Sequence, residues 1–199
     1  MKNICGLLVI CLVACTGGDA EYKNRLFQSR ANKNYDFMQA GQTPLDSLGL
    51  ATFKGLRYYE PDMNYRVEAT FKAIPIAEVF GFPHTLNRTY NYREAGILRF
   101  NINGQALELT GYEREGSVGD SLELFIPFTD KTNGNETYGG GRYIDVKVKP
   151  SQQEVILDFN TAYNPYCAYN EDYSCPIPPA KNRLAVAIEA GEKVLFPAH

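Results

Sequence analysis

Leu98-Arg-Phe-Asn-Ile-Asn-Gly-Gln-Ala-Leu-Glu-Leu109 alternates apolar and polar side chains on both sides of Asn103-Gly104. A period of two puts Leu98, Phe100 and Ile102 on one face of a strand, and Asn-Gly tolerates the positive φ that a type I′ turn needs at both central positions. The stretch is predicted to be a β-hairpin that returns through Leu107 and Leu109.

The same period extends in both directions. Tyr65, Val67, Ala69 and Phe71 alternate with Arg66, Glu68 and Thr70, which describes a half-buried strand. Further strands are predicted at Thr89 to Tyr92, at Leu122 to Phe128, at Arg142 to Lys149 and at Glu154 to Phe159, the last two joined as a hairpin around Pro150 to Gln153. Ile144, Val146 and Val148 share one face with Arg142, while Tyr143 and Asp145 take the other parity. Asp158 and Asn160 are expected to join that polar surface across the hairpin. Leu184 to Ile188 reads as a final strand.

Before the strands, Glu21 to Ala40 reads as a helix, with Tyr22, Leu26, Phe27, Phe37 and Met38 on a broken apolar stripe and Gly41 and Pro44 as the stop. A short strand is expected around Arg57 to Tyr59. The fold class is therefore mainly β, an antiparallel sandwich or partly open barrel with an N-terminal α-helix. The absence of helical segments between the strands argues against parallel α/β.

At the amino terminus Lys2, the apolar run Ile4 to Val13 and Leu12-Val-Ala-Cys15 read as a lipoprotein signal over residues 1–14, with Cys15 as the lipidated residue. The expected organisation is a tether at residues 15–20 and one mainly-β domain at 21–199. The partner implied by this end is a membrane, held through acyl chains on Cys15 at about 0.8 kcal/mol per buried methylene. The location is then the cell envelope, on its periplasmic or surface face. Thr16 after the cysteine is not an aspartate-type retention signal and points to the outer membrane.

About 185 residues remain after the signal, enough for a sizeable core. The whole chain carries a formal charge of -3 without basic clusters, which argues against nucleic acid as a partner. Of five cysteines, Cys167 and Cys175 stand in the exported domain eight positions apart, so a disulfide closing a small loop is expected. No Cys-x-x-Cys or His-x-His pair is present, so neither a metal nor another cofactor is expected.

The last third concentrates glycine, proline, asparagine and tyrosine. Tyr138, Arg142, Asp158, Asn160, Tyr163, Asn164, Asn182 and Arg183 suit a polar ligand pocket, since amides both donate and accept and tyrosines offer a flat face with a polar tip. The same groups equally suit an irregular loop whose backbone needs partners. Asp130, Asp158 and Glu192 are the weak candidates for a carboxylate pair of the kind glycoside hydrolysis uses. Three functions stay open: a binding module for a small molecule, glycan or envelope protein, a hydrolase using Asp158, and a purely structural component of an envelope complex.

Phe125-x-Pro-Phe-x-Asp130, Thr137-Tyr-Gly-Gly-Gly-Arg-Tyr143, Asp158-Phe-Asn-x-Ala-Tyr-Asn-Pro-Tyr-Cys-Ala168, Cys175-Pro-x-Pro-Pro179 and Asn182-Arg-Leu184 with Ala190-Gly-Glu-Lys193 resemble the bacterial domain of unknown function 1684 family. The resemblance covers roughly residues 21 to 193. It implies a mostly β domain and brings no substrate, cofactor or catalytic residue with it.

Overall fold

A computed structural model describes residues 16–41 and 43–195. The predicted signal and Cys15 lie outside them. Helix α1 (Thr16–Phe37) comes first, then a short helix α2 (Ser47–Thr52) and seven strands: β1 (Arg66–Ala73), β2 (Phe80–Phe82), β3 (Tyr90–Ile102), β4 (Gln105–Arg114), β5 (Leu122–Phe128), β6 (Arg142–Val148) and β7 (Glu154–Asp158). All pairings are antiparallel, in the order β6-β5-β4-β3-β1-β7, with β2 added to β3. The sheet curls around one core and nearly closes into a barrel, so of the two predicted architectures the structure resembles the partly open barrel more closely.

The Asn-Gly reading holds in detail. Asn103 (φ 52°) and Gly104 (φ 79°) sit at the β3–β4 turn, both in the left-handed region. Leu98, Phe100 and Ile102 face the core with Ala69, Phe71, Leu109, Leu124, Ile126, Phe128, Ile144, Val146 and Leu157. Thr89 to Tyr92 is the beginning of long β3 rather than a separate strand, because a register shift between Glu94 and Gly96 carries the strand past its break in alternation.

Other expectations differ from the structure. β6 and β7 do not form a hairpin: β6 pairs only with β5 and β7 only with β1, so they are the two edges of the sheet. Leu184 to Ile188 buries Leu184 and Ile188 as its alternation requires, but it runs as an irregular strap rather than a strand. Its backbone is met piecemeal, Leu184 donating to Thr129 O at 2.8 Å and Lys131 to Val186 O at 3.0 Å. The expected tether at Thr16 to Ala20 is already helical, with Asp19 in the first turn where the helix dipole favours a carboxylate.

α1 holds to the barrel through Leu26 and Phe37 and, more than its apolar stripe suggested, through polar groups, while Phe27 and Met38 point outward. The Tyr22 hydroxyl donates to Asp158 at 2.7 Å, Lys33 pairs with Glu192 at 2.7 Å, and Arg30 reaches the carbonyls of Tyr59 (3.0 Å) and Asn160 (3.3 Å). The short strand expected at Arg57 to Tyr59 is a single bridge, Tyr58 to Glu192.

Candidate functional site

The polar residues of the last third are distributed between two kinds of place. Arg142 is fully buried: its guanidinium pairs with Asp130 at 2.9 Å and donates to the carbonyls of Ile188 (2.8 Å), Ala190 and Glu192 (3.3 Å). These carbonyls belong to the irregular strap, where no neighbouring strand supplies a donor. Asp130 also accepts from the backbone N–H groups of Thr132 (2.9 Å) and Ile188 (3.1 Å). Asn182, buried beneath the same strap, bonds Thr110 and Pro127. Asn160 bonds both backbone groups of Asp62 at 2.9 and 2.8 Å, and Asp158 caps Asn160 N–H at 3.0 Å with Arg66 3.7 Å away. Arg142, Asp158, Asn160 and Asn182 thus meet protein partners. Arg183 is exposed, and Tyr138 lies half-buried beside Cys167.

The carboxylates Asp130, Asp158 and Glu192 are likewise engaged separately. Glu192 is buried against Lys33, the Asn164 amide (3.3 Å) and the Tyr169 hydroxyl. Burial raises its pKa above the ordinary glutamate value, opposed by the Lys33 ammonium.

The expected disulfide is absent. Cys167 and Cys175 are free thiols, the Cys167 amide donating to Cys175 Sγ at 3.1 Å. The loop is held instead by hydrogen bonds to Thr85, whose N–H donates to Cys175 O at 2.9 Å and whose Oγ1 accepts from Cys175 N–H at 3.0 Å. A hydrogen bond from Cys175 brings the Cys167 thiol down to about 7 and pushes that of Cys175 upward. Among the described residues no His, Cys, Asp and Glu side chains gather as a metal site.

An open hollow lies elsewhere, on the outer face of the sheet. There Tyr92 of β3, Phe125 of β5 and Tyr143 of β6 stand side by side, with Phe82 of β2 at one end and Tyr163 of the loop after β7 at the other, and their rings run in sequence: Phe82 to Tyr92 at 5.2 Å, Tyr92 to Phe125 at 5.7 Å, Phe125 to Tyr143 at 4.8 Å and Tyr143 to Tyr163 at 5.7 Å. Such spacings are those of favourable aromatic contacts, edge-to-face except at the tilted Tyr92–Phe125 pair. Tyr92 and Phe125 floor two adjoining hollows of about 570 and 640 Å³, Tyr143 and Tyr163 extend the floor of the second, and Phe82 lies buried at the end of the row. One is walled by Arg114 and Lys147, the other by Lys33, Tyr166, Tyr173 and Pro176. Polar groups converge on the floor. Asp145 accepts from the Tyr163 hydroxyl at 2.7 Å, and although Asp145 faces the cleft, the surrounding protein raises its pKa above the ordinary aspartate value while Tyr163 opposes the shift. Of the predicted ligand residues, Tyr163 and Asn164 line this cleft. The sequence reading missed Tyr92 and Phe125; their signal was an aromatic residue at the outward parity of a strand.

The family of proteins of unknown function DUF1684 matches residues 51–193, most of the chain. The protein belongs to the DUF1684 family. No curated protein matches it. The chain is also similar to an uncharacterised protein of Haloarcula marismortui known from a solution NMR structure, at 34% identity and a TM-score of 0.69, over 89% of this chain and 96% of that one. That relative is haloarchaeal, so the likeness extends beyond the bacterial setting in which the sequence placed the family. The DUF1684 match includes β1 to β7, the cleft floor and the buried Arg142–Asp130 pair, whereas α1 lies before it.

Proposed function

We propose that this DUF1684 protein is a lipid-anchored binding module of the cell envelope, most consistent with the outer membrane, whose ligand lies in the aromatic-floored cleft. The observation that carries the reading is the continuous row Tyr92, Phe125, Tyr143 and Tyr163 under two adjoining open hollows. Rings presented to a concave surface beside a few fixed polar groups suit a ligand with a flat apolar face and polar edges, and a sugar is the chemical class that combines both. Its hydroxyls would find Asp145 as acceptor and Arg114 and Lys33 as donors. The hydrolase reading has less support, since Asp130, Asp158 and Glu192 are each occupied by separate protein partners.

In an NMR titration with cello- and chito-oligosaccharides, the ring resonances of Phe125, Tyr143 and Tyr163 should move together. Phe125→Ala should weaken binding about tenfold, the equivalent of about 1.4 kcal/mol, within the range for one aromatic contact. Ring resonances that ignore every sugar in the series would remove the reading.

The anchor rests on the sequence of residues 1–15, and no helix among the described residues is long and apolar enough to cross a membrane. Cells fed a labelled fatty acid should incorporate it into the protein, and Cys15→Ala should abolish both the label and sedimentation with membranes. An unlabelled wild-type protein would disprove the anchor.

A further inference from the structure

Behind Tyr163 the cleft continues into a small recess of about 70 Å³ between α1 and the barrel. It shares Ser29, Lys33, Thr161 and Tyr163 with the larger hollow and is closed at its inner end by Arg30, Tyr58 and Glu192. The volume has room for a few waters or one small substituent of a ligand.

The inner wall has donors without acceptors. Arg30 is only 9% exposed, and its two terminal nitrogens are used on the carbonyls of Tyr59 and Asn160, but its Nε has no partner. The buried Tyr58 hydroxyl has none either. Arg30 lies over the Tyr58 ring, 4.4 Å from its centroid, so the two groups are fixed relative to one another. Burial raises the Tyr58 pKa, and the Glu192 carboxylate adds to the shift, which keeps the hydroxyl protonated and able to donate. Two cations, Arg30 and Lys33, stand at the recess against one carboxylate, Glu192, which already receives Lys33, Asn164 and Tyr169. Beyond the recess, the carboxylates of Glu60 and Asp158 also act on Arg30, and Asp158 is held by Tyr22 and Arg66.

Unpartnered buried donors are rare in folded proteins because each forfeits a hydrogen bond to water, and two beside an open cleft mark the place where an acceptor arrives. We propose that the recess is a carboxylate subsite of the cleft: the ligand is an acidic sugar whose carboxylate enters between Arg30 Nε, the Tyr58 hydroxyl and Lys33. Charge-assisted bonds from a guanidinium and an ammonium favour this group over a neutral carbonyl or hydroxyl. The inference rests on the cleft being the binding surface.

Two probes differ only at the group in question, methyl β-D-glucuronide and methyl β-D-glucoside. Calorimetric titration of the intact protein should show the glucuronide binding at least tenfold more tightly. Tyr58→Phe keeps the ring under Arg30, so the melting point should be unchanged or higher, while the preference for the glucuronide falls to about twofold and glucoside binding stays as it was. In wild-type protein the Arg30 Nε–H resonance should move with the glucuronide and stay still with the glucoside. Equal binding of both sugars overturns the subsite and leaves the cleft reading standing, and binding of neither overturns both. A preference that survives Tyr58→Phe, or an Arg30 resonance indifferent to the glucuronide, means that the carboxylate sits elsewhere and the recess holds water only.

Discussion

Arg142→Met should cost the protein about 3–5 kcal/mol, the range for breaking a buried ion pair from one side. The methionine fills much of the arginine's volume, so the loss is not chiefly a cavity. It comes from the groups left behind. Asp130 would keep its carboxylate fully buried with only neutral donors, and the carbonyls of Ile188, Ala190 and Glu192 would lose the guanidinium that reaches them. For a domain of this size each kcal/mol lowers the melting point by about 2–4 °C, so a drop of roughly 10 °C is expected and urea unfolding at pH 7 will measure the free energy. A change below about 1 kcal/mol would show that the clamp on the strap is dispensable. Because the Arg142 side chain points into the barrel while that of its neighbour Tyr143 faces the cleft, sugar binding by the folded fraction should be unaltered.

The clamp also shows where sequence reading stops. Alternation identified Arg142 as sitting on the apolar side of its strand, which is where the structure has it, inside the barrel. Whether a charged residue at such a position is offered to a ligand or consumed internally depends on unpaired carbonyls forty-six to fifty residues away, and no local pattern reveals those. The same holds for pairing. Period two says which face of β6 and β7 is apolar but not which strand lies alongside, so a short connection reads as a hairpin where the two strands are opposite edges. Where the signal was local it was sufficient. Asn103-Gly104 fixed its turn through its own dihedral preferences, and the outward parity of Tyr143 and Asp145 put both on the surface that forms the cleft. The aromatic row itself needed β3, β5 and the loop at Tyr163 to be brought side by side, which is a tertiary fact.

Asn182 offers the sharpest test of how the barrel tolerates a proline. In the register set by Tyr112 opposite Phe125, Thr110 lies opposite Pro127, and a proline has no N–H to give to the Thr110 carbonyl. The ladder should fail there. Instead the Asn182 side chain stands between the strands as a peptide unit would: its oxygen accepts from Thr110 N–H at 2.8 Å, and its NH₂ donates to Thr110 O at 2.9 Å and to Pro127 O at 2.8 Å. Asn182→Leu leaves three buried backbone groups unpartnered at about 1–3 kcal/mol each, so a loss of at least 3 kcal/mol is expected. Asn182→Asp is nearly isosteric but turns two donors into acceptors facing two carbonyls, so it should be as damaging at pH 7. The two variants separate on acidification. A carboxyl in that position is favoured in its protonated form, which regains one donor, so its folded pKa lies above the unfolded value of about 3.9. The deficit of Asn182→Asp relative to wild type should therefore be smallest near pH 4 and widen as the pH rises through the folded pKa, while the deficit of Asn182→Leu stays flat. Parallel pH profiles for the two would mean that the amide only fills space, and that the gap beside Pro127 is bridged some other way.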